Sequence, residues 1–147
     1  MNRSIIQILC VDDDTDSCEL IDHLLTYKEN GCVLTPVASP VEVLNLIKNR
    51  SFNLYIFDYL LPEMSGVELC RNIRLVDAET PIVFFTAKAY PDDRENAIRA
   101  GATAYLIKPN DLVKFKQTIN GLLARRLSPE DKFNYSQNVS LPLTTSG

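Results

Sequence analysis

The chain reads as an α/β domain, a doubly wound five-stranded parallel sheet with helices on both faces. Three observations predict this. Short β-branched apolar runs alternate along the 147 residues with segments whose apolar residues recur at helical spacing. The strand-like runs are nearly continuous in hydrophobicity, as strands covered on both faces are. Strict alternation of the two patterns implies parallel pairing, and right-handed crossovers limit the topologies that remain.

Ile5 to Val11 is the first strand, and Leu20, Ile21, Leu24 and Leu25 form the stripe of the first helix. Cys32 to Val37 is the second strand, and its Pro36 suggests a sheet edge, because proline donates no ladder hydrogen bond. Ser39-Pro40-Val41-Glu42 reads as an N-cap, a proline at the first helical position and a capping-box glutamate. Val43, Leu44 and Ile47 supply that helix's inner face. Leu54 to Phe57 is the third strand. Ser65-Gly66-Val67-Glu68 is a second capping box, opening a helix that carries Cys70 and Ile73 inward.

Pro81 to Phe85 is the fourth strand. A helix starts near Pro91-Asp92-Asp93, where acids suit the positive end of the helix dipole, and stops at Gly101. Ala104 to Ile107 is the fifth strand. The last helix runs from about Asp111 through Leu112, Phe115, Ile119, Leu122 and Leu123. The domain is expected over 1–127. From 128 to 147 the composition turns to Ser, Asn, Thr, Gln and Pro without apolar period, which reads as a polar tail or linker.

Composition narrows the function. A net charge of −4 favours no nonspecific grip on nucleic acid or anionic lipid. No apolar run approaches a membrane span. The first residues lack the pattern of a secretory signal, so a cytoplasmic location is expected. Cys10, Cys18, Cys32 and Cys70 fall in apolar patterns without C-x-x-C spacing and read as reduced core residues. His23 reads as a surface residue of the first helix.

The chemistry gathers at the strand ends. In an open α/β sheet, sites form beyond the carboxyl ends of the strands. The first strand ends in Asp12-Asp13-Asp14, the third in Asp58, the fourth in Thr86 and the fifth in Lys108. Burying the Asp58 carboxylate without a partner is costly, so it must meet water or a cation. Clustered carboxylates repel one another, and a hard divalent ion such as Mg2+ relieves that repulsion with oxygen ligands. Asp58 is then suited to act as a nucleophile toward a phosphoryl donor. The metal, the Lys108 ammonium and the Thr86 hydroxyl can each neutralise one equatorial oxygen. Asp14 and Asp16 read as helix-start acids.

The segments ILCVDDD, LYIFDYLLPEMSGVEL, PIVFFTA and AGATAYLIKP stand in the order and approximate spacing of a known family. Over about residues 5 to 126 the chain resembles a receiver domain of a two-component response regulator. The resemblance implies a flavodoxin-like strand order of 2-1-3-4-5 and Asp58 as phosphoacceptor. It implies Asp12 and Asp13 as an acid pair around Mg2+, with Asp58 and the Leu60 carbonyl as further ligands. It also implies Thr86 and Lys108 on the phosphoryl group, Tyr105 as an aromatic switch and a Lys108-Pro109 peptide of the kind often cis. The expected partner is a sensor histidine kinase or phosphotransfer protein, passing on to an output partner or domain that the sequence does not identify. No direct contact with nucleic acid or membrane is expected of this chain, and a phosphorylation-dependent homodimer is open to it. The domain reads as a signalling module rather than an enzyme.

Asn110 departs from the family pattern, which usually has a bulky apolar residue there. Leu60 and Leu61, beside the acid, either cover the core edge or shield the phosphoryl group or meet a partner. Two alternatives stand beside this reading. A haloacid-dehalogenase-type phosphohydrolase also forms an aspartyl phosphate, but its nucleophile follows the first strand in D-x-D, which leaves Asp58 and its loop unexplained. A flavodoxin relative would need a Ser/Thr/Gly-rich phosphate loop after the first strand, where this chain has acids that repel phosphate.

Overall fold

The computed structural model describes residues 5–25 and 32–126, so the expected tail at 128–147 lies outside the described residues. The elements are β1 (Ile6–Val11), α1 (Thr15–Leu24), β2 (Cys32–Val37), α2 (Pro40–Leu46), β3 (Leu54–Phe57), α3 (Gly66–Arg74), β4 (Ile82–Thr86), α4 (Pro91–Ala100), β5 (Ala104–Ile107) and α5 (Leu112–Arg126). The five strands are parallel in the order β2-β1-β3-β4-β5, as expected. Pro36 lies on β2, at the edge. Among the described residues, no helix is long and apolar enough to cross a membrane.

The two-residue strand period divides the core. Ile6, Ile8 and Cys10 of β1, with Leu54, Ile56, Val83, Phe85 and Leu106, meet Cys18, Ile21 and Leu25 around α1 and Phe115, Ile119 and Leu123 of α5. The alternate residues, including Leu9, Val11, Tyr55, Phe57, Phe84 and Tyr105, meet α2, α3 and α4 through Val43, Val67, Leu69, Cys70, Ile73, Ala97 and Ala100. Phe85 and Phe115 stack with centroids 4.3 Å apart, fastening α5 to β4.

The serine half of each predicted capping box forms, without a return bond from the Glu42 or Glu68 carboxylate. The Ser39 hydroxyl accepts the Glu42 N–H at 3.3 Å, and the Ser65 hydroxyl accepts the Glu68 N–H at 3.1 Å. Each satisfies an orphan donor and contributes about 1 kcal/mol. α4 ends at Gly101, whose φ of +111° is strained for any residue with a Cβ. Its carbonyl accepts the Arg74 guanidinium, which also reaches the Asp77 and Thr80 carbonyls.

Three expectations shift. β4 starts at Ile82 and includes Thr86, because Pro81 has no N–H for the ladder while Thr86 still pairs with Ile107. Ile5 lies outside β1 and is 53% exposed. Leu20 is also outward, at 49% exposure, because Cys18 precedes Ile21 by three residues and takes the inward position.

Candidate functional site

The backbone ladder continues one residue past three strand ends, and this sets the site. Asp12 donates its N–H to the Val37 carbonyl, Asp58 to the Val11 carbonyl and Lys108 to the Thr86 carbonyl. The strand alternation therefore persists. Asp12 follows Cys10, Asp58 follows Ile56 and Lys108 follows Leu106 on the face covered by α1 and α5.

The side chains meet there. Lys108 Nζ donates to Asp12 Oδ2 at 2.7 Å and to Ser17 Oγ at 3.2 Å, and lies 3.6 Å from Asp58 Oδ2. The Asp12 side chain is 3% exposed and the Asp58 side chain 19%. Burial pulls the Lys108 pKa down, but the hydrogen bond to Asp12 and the charges of Asp58 and Asp12 outweigh it, and the net shift is upward from 10.5. Asp58 therefore ends an apolar strand beside a cation and at the reach of solvent.

The loop after β3 is drawn tight around Asp58. Asp58 Oδ1 accepts the Tyr59 N–H at 2.7 Å, and Gly66 N–H returns to the Tyr59 carbonyl at 2.8 Å. A Cβ at Gly66 would stand 2.2 Å from the Asp58 carbonyl oxygen, so only glycine allows this approach. Glu63 takes a φ of +69°, and its carboxylate accepts the Ser39 hydroxyl at 2.5 Å, joining the loop to the start of α2. Leu61 packs against the core while Leu60 is 60% exposed.

Asp13 is exposed, and Asp14 caps α1 by accepting the Asp16 N–H. Thr86 is buried, and its hydroxyl accepts the Lys88 N–H at 3.3 Å. The Tyr105 ring is already inward, 2% exposed and stacked on Phe84 at 5.7 Å. Its hydroxyl donates to the Lys88 carbonyl at 2.7 Å. The residue expected as the aromatic switch therefore already has its ring inside the core. Lys108-Pro109 is cis, Asn110 is exposed and His23 is exposed.

The donor set fits a hard divalent cation. Carboxylates of Asp12 and Asp58 face one ammonium, so both are aimed at a common cationic point. Among the described residues no three His, Cys, Asp or Glu side chains form a closed cage. Magnesium needs only one or two carboxylates and keeps its waters. Asp12 and Asp58 are two such carboxylates at this edge.

Sequence reading missed Ser17, Tyr59 and the reason for Gly66. Ser17 lies three residues after the Asp14 cap, and helical spacing alone could have brought it to the strand edge. Tyr59 packs edge-on to Tyr105 at 6.5 Å and lies under the Lys88 ammonium at 5.8 Å, contacts with no local signature.

A doubly wound sheet with two carboxylates, a threonine and a lysine at its carboxyl edge defines a class of acid-site α/β domains. The model of the response regulator receiver domain family matches residues 8–120, and the chain belongs to that family. Response regulator MprA of Mycobacterium sp. (strain KMS) is 33% identical over 126 residues, which is 86% of this chain and 54% of that protein. The chain thus spans about half the length of the curated relatives it matches first. A two-component response regulator from Clostridium difficile superposes with a TM-score of 0.75 at 28% identity, over 84% of this chain and 99% of that one. The receiver domain of a sensor histidine kinase from Pseudomonas aeruginosa PAO1, with a magnesium ion in its active site cleft, gives 0.65 at 28% identity over 78% and 97%. The haloacid-dehalogenase alternative finds no support among these matches.

Proposed function

We propose that Asp58 is the phosphoacceptor of this receiver domain, taking a phosphoryl group from a phosphohistidine of a sensor kinase or phosphotransfer protein. The observation that carries this is the single Lys108 ammonium held at 2.7 Å from Asp12 and 3.6 Å from Asp58. It supports a site built to gather negative charge at the end of β3.

Asp58 Oδ2 attacks phosphorus in line with the histidine nitrogen. The P–N bond breaks and an acyl phosphate forms. The tight turn from Asp58 to Gly66 holds the carboxylate by the Tyr59 N–H, which fixes the attacking oxygen. Lys108 turns from Asp58 to a phosphoryl oxygen while keeping Asp12, and the Thr86 hydroxyl donates to another. Asp12, Asp13, Asp58 and the Leu60 carbonyl would hold Mg2+, which supplies charge neutralisation for the transferring group.

The remaining residues, 128–147, would connect this unit to an output domain or partner, consistent with relatives in which the matched segment is about half of the length. The setting would be cytoplasmic, where such kinases present their phosphohistidine. Incubating the protein with a small-molecule phosphodonor and magnesium should add one phosphate to the intact mass. Asp58→Asn should add none, and a full adduct on that variant would remove Asp58 from this role.

A further inference from the structure

Beneath the acidic edge lies a pair of groups that phosphoryl transfer does not use. Cys10 and Cys18 are both free thiols, and their sulfurs are 3.2 Å apart. The strand period explains the meeting. Cys10 shares the face of Asp12, two residues on, and α1 covers that face with Cys18 as its first inward residue. Cys18 directly follows Ser17, which holds Lys108. Both thiols are buried, yet Cys18 also lines an open groove of about 340 Å³ between α1 and the edge strand β2, with Asp12, Thr15, Leu34, Pro36 and Val37. Cys18 lines that groove and Cys10 does not.

We propose that Cys10 and Cys18 are a redox modification site, forming a reversible disulfide with a hydroperoxide and thereby slowing phosphorylation of the domain. The Cys18 sulfur attacks the terminal peroxide oxygen. The O–O bond breaks, an alcohol (water, for hydrogen peroxide) leaves, and Cys18 becomes a sulfenic acid. The Cys10 sulfur then attacks the Cys18 sulfur, the S–O bond breaks and the hydroxyl departs as water with the Cys10 proton. The two thiols together lose two electrons and the hydroperoxide gains them. A dithiol restores the pair by exchange.

The other cysteines have no such partner. Cys70 donates to the Ala100 carbonyl on the opposite side of the sheet, and Cys32 sits on β2, and among the described residues neither touches another sulfur.

The link to the site is mechanical. To reach bonding distance the sulfurs must close by about 1.2 Å. The loop so closed runs from Cys10 to Cys18 and contains Asp12, Asp13 and Ser17. Drawing α1 toward β1 displaces Ser17 from Lys108 and shifts Asp12, whose carboxylate holds the same ammonium.

The test uses the full chain and hydrogen peroxide near stoichiometric amount, with acid quench, alkylation and non-reducing peptide mapping. The expected product has lost two hydrogens, carries a Cys10–Cys18 linked peptide and reverts with dithiothreitol. Cys10→Ser should stop at a dimedone-reactive Cys18, and Cys18→Ser should give neither product. The oxidised parent should accept phosphate from a small-molecule donor several-fold more slowly than the reduced parent. Oxidation first at Cys32 or Cys70, or no link in the parent while its circular dichroism stays native, overturns the site. Equal rates for the oxidised and reduced parent overturn the regulation. Peptide mapping does not depend on phosphorylation, so failure of the reduced parent to accept phosphate would count against Asp58 alone.

Discussion

At the scale of single residues, Lys108 organises the acidic edge. Its ammonium satisfies the nearly buried Asp12 carboxylate and offsets the negative charge of Asp58. Lys108→Met leaves Asp12 Oδ2 without its donor, while Oδ1 keeps the Asp14 N–H, a loss of about 1–3 kcal/mol. Magnesium should recover part of that loss by supplying another cation. Urea unfolding with and without magnesium measures both effects, and a Lys108→Met variant as stable as the parent would mean that Asp12 finds water instead. The pH dependence has a definite sign. The folded-state pKa of Lys108 lies above its ordinary 10.5, so its contribution is fully present below about that pH. It is lost only as pH rises through the higher folded value. Stability measured from pH 7 to 10 should therefore show no loss from Lys108, and a decline should begin above that range and be absent in Lys108→Met.

At the scale of elements, the turn between β3 and α3 carries the tightest constraint. Ser65 caps α3 while the next residue, Gly66, presses against the Asp58 carbonyl and donates to that of Tyr59. Gly66→Ala puts its Cβ 2.2 Å from that carbonyl oxygen and 2.9 Å from the Phe84 ring. The backbone must yield, at a cost of roughly 1–3 kcal/mol. Because the part that yields holds Asp58, phosphorylation should slow as well. Urea midpoints and phosphorylation rates for the Gly66→Ala variant test this together; a normal rate in a destabilised protein would show that the turn supports the fold without aligning the acid.

At the scale of the whole molecule, the backbone of Lys88 joins the acidic edge to the face formed by α4, β5 and α5. Its N–H donates to Thr86 and its carbonyl accepts from Tyr105. A phosphoryl group on Asp58 offers the Thr86 hydroxyl a charged acceptor, and turning toward it disturbs the bond to Lys88. The other end of the same residue then carries the change to Tyr105. The ring starts from its buried position, so the signal is a rearrangement of the loop from Ala87 to Tyr90 rather than entry of the ring. A ligand shifts such an equilibrium only through its differential affinity for the two states. Beryllofluoride with magnesium should shift amide NMR signals from Asp58 to Tyr105 and α5 in the parent. In Thr86→Ala the shifts should stay near the acidic edge. The same long-range shifts in both proteins would mean that the signal leaves by another route.

The order of elements, the two serine N-caps, the edge position of β2 and the acids at the strand ends are legible in the chain, because each depends on a local period or a local hydrogen bond. Ser39, Ser65 and Gly101 announce helix ends within a few residues of where they act. Leu20 and Ile5 misled because an apolar residue at the margin of an element can face either way, and only the neighbours choose. The contacts that make the site are different in kind. Lys108 and Asp12 are 96 residues apart, and Lys108 and Ser17 are 91 apart. Their meeting depends on how α1 and β5 pack on the sheet, which no spacing encodes. The same holds for Tyr105 seated against Phe84, and for Cys10 against Cys18. Sequence by itself determined the strands, the helices and which strands end in chemistry. Tertiary packing decided which of those groups touch, because side-chain contacts form only when separate elements are pressed together around a shared core.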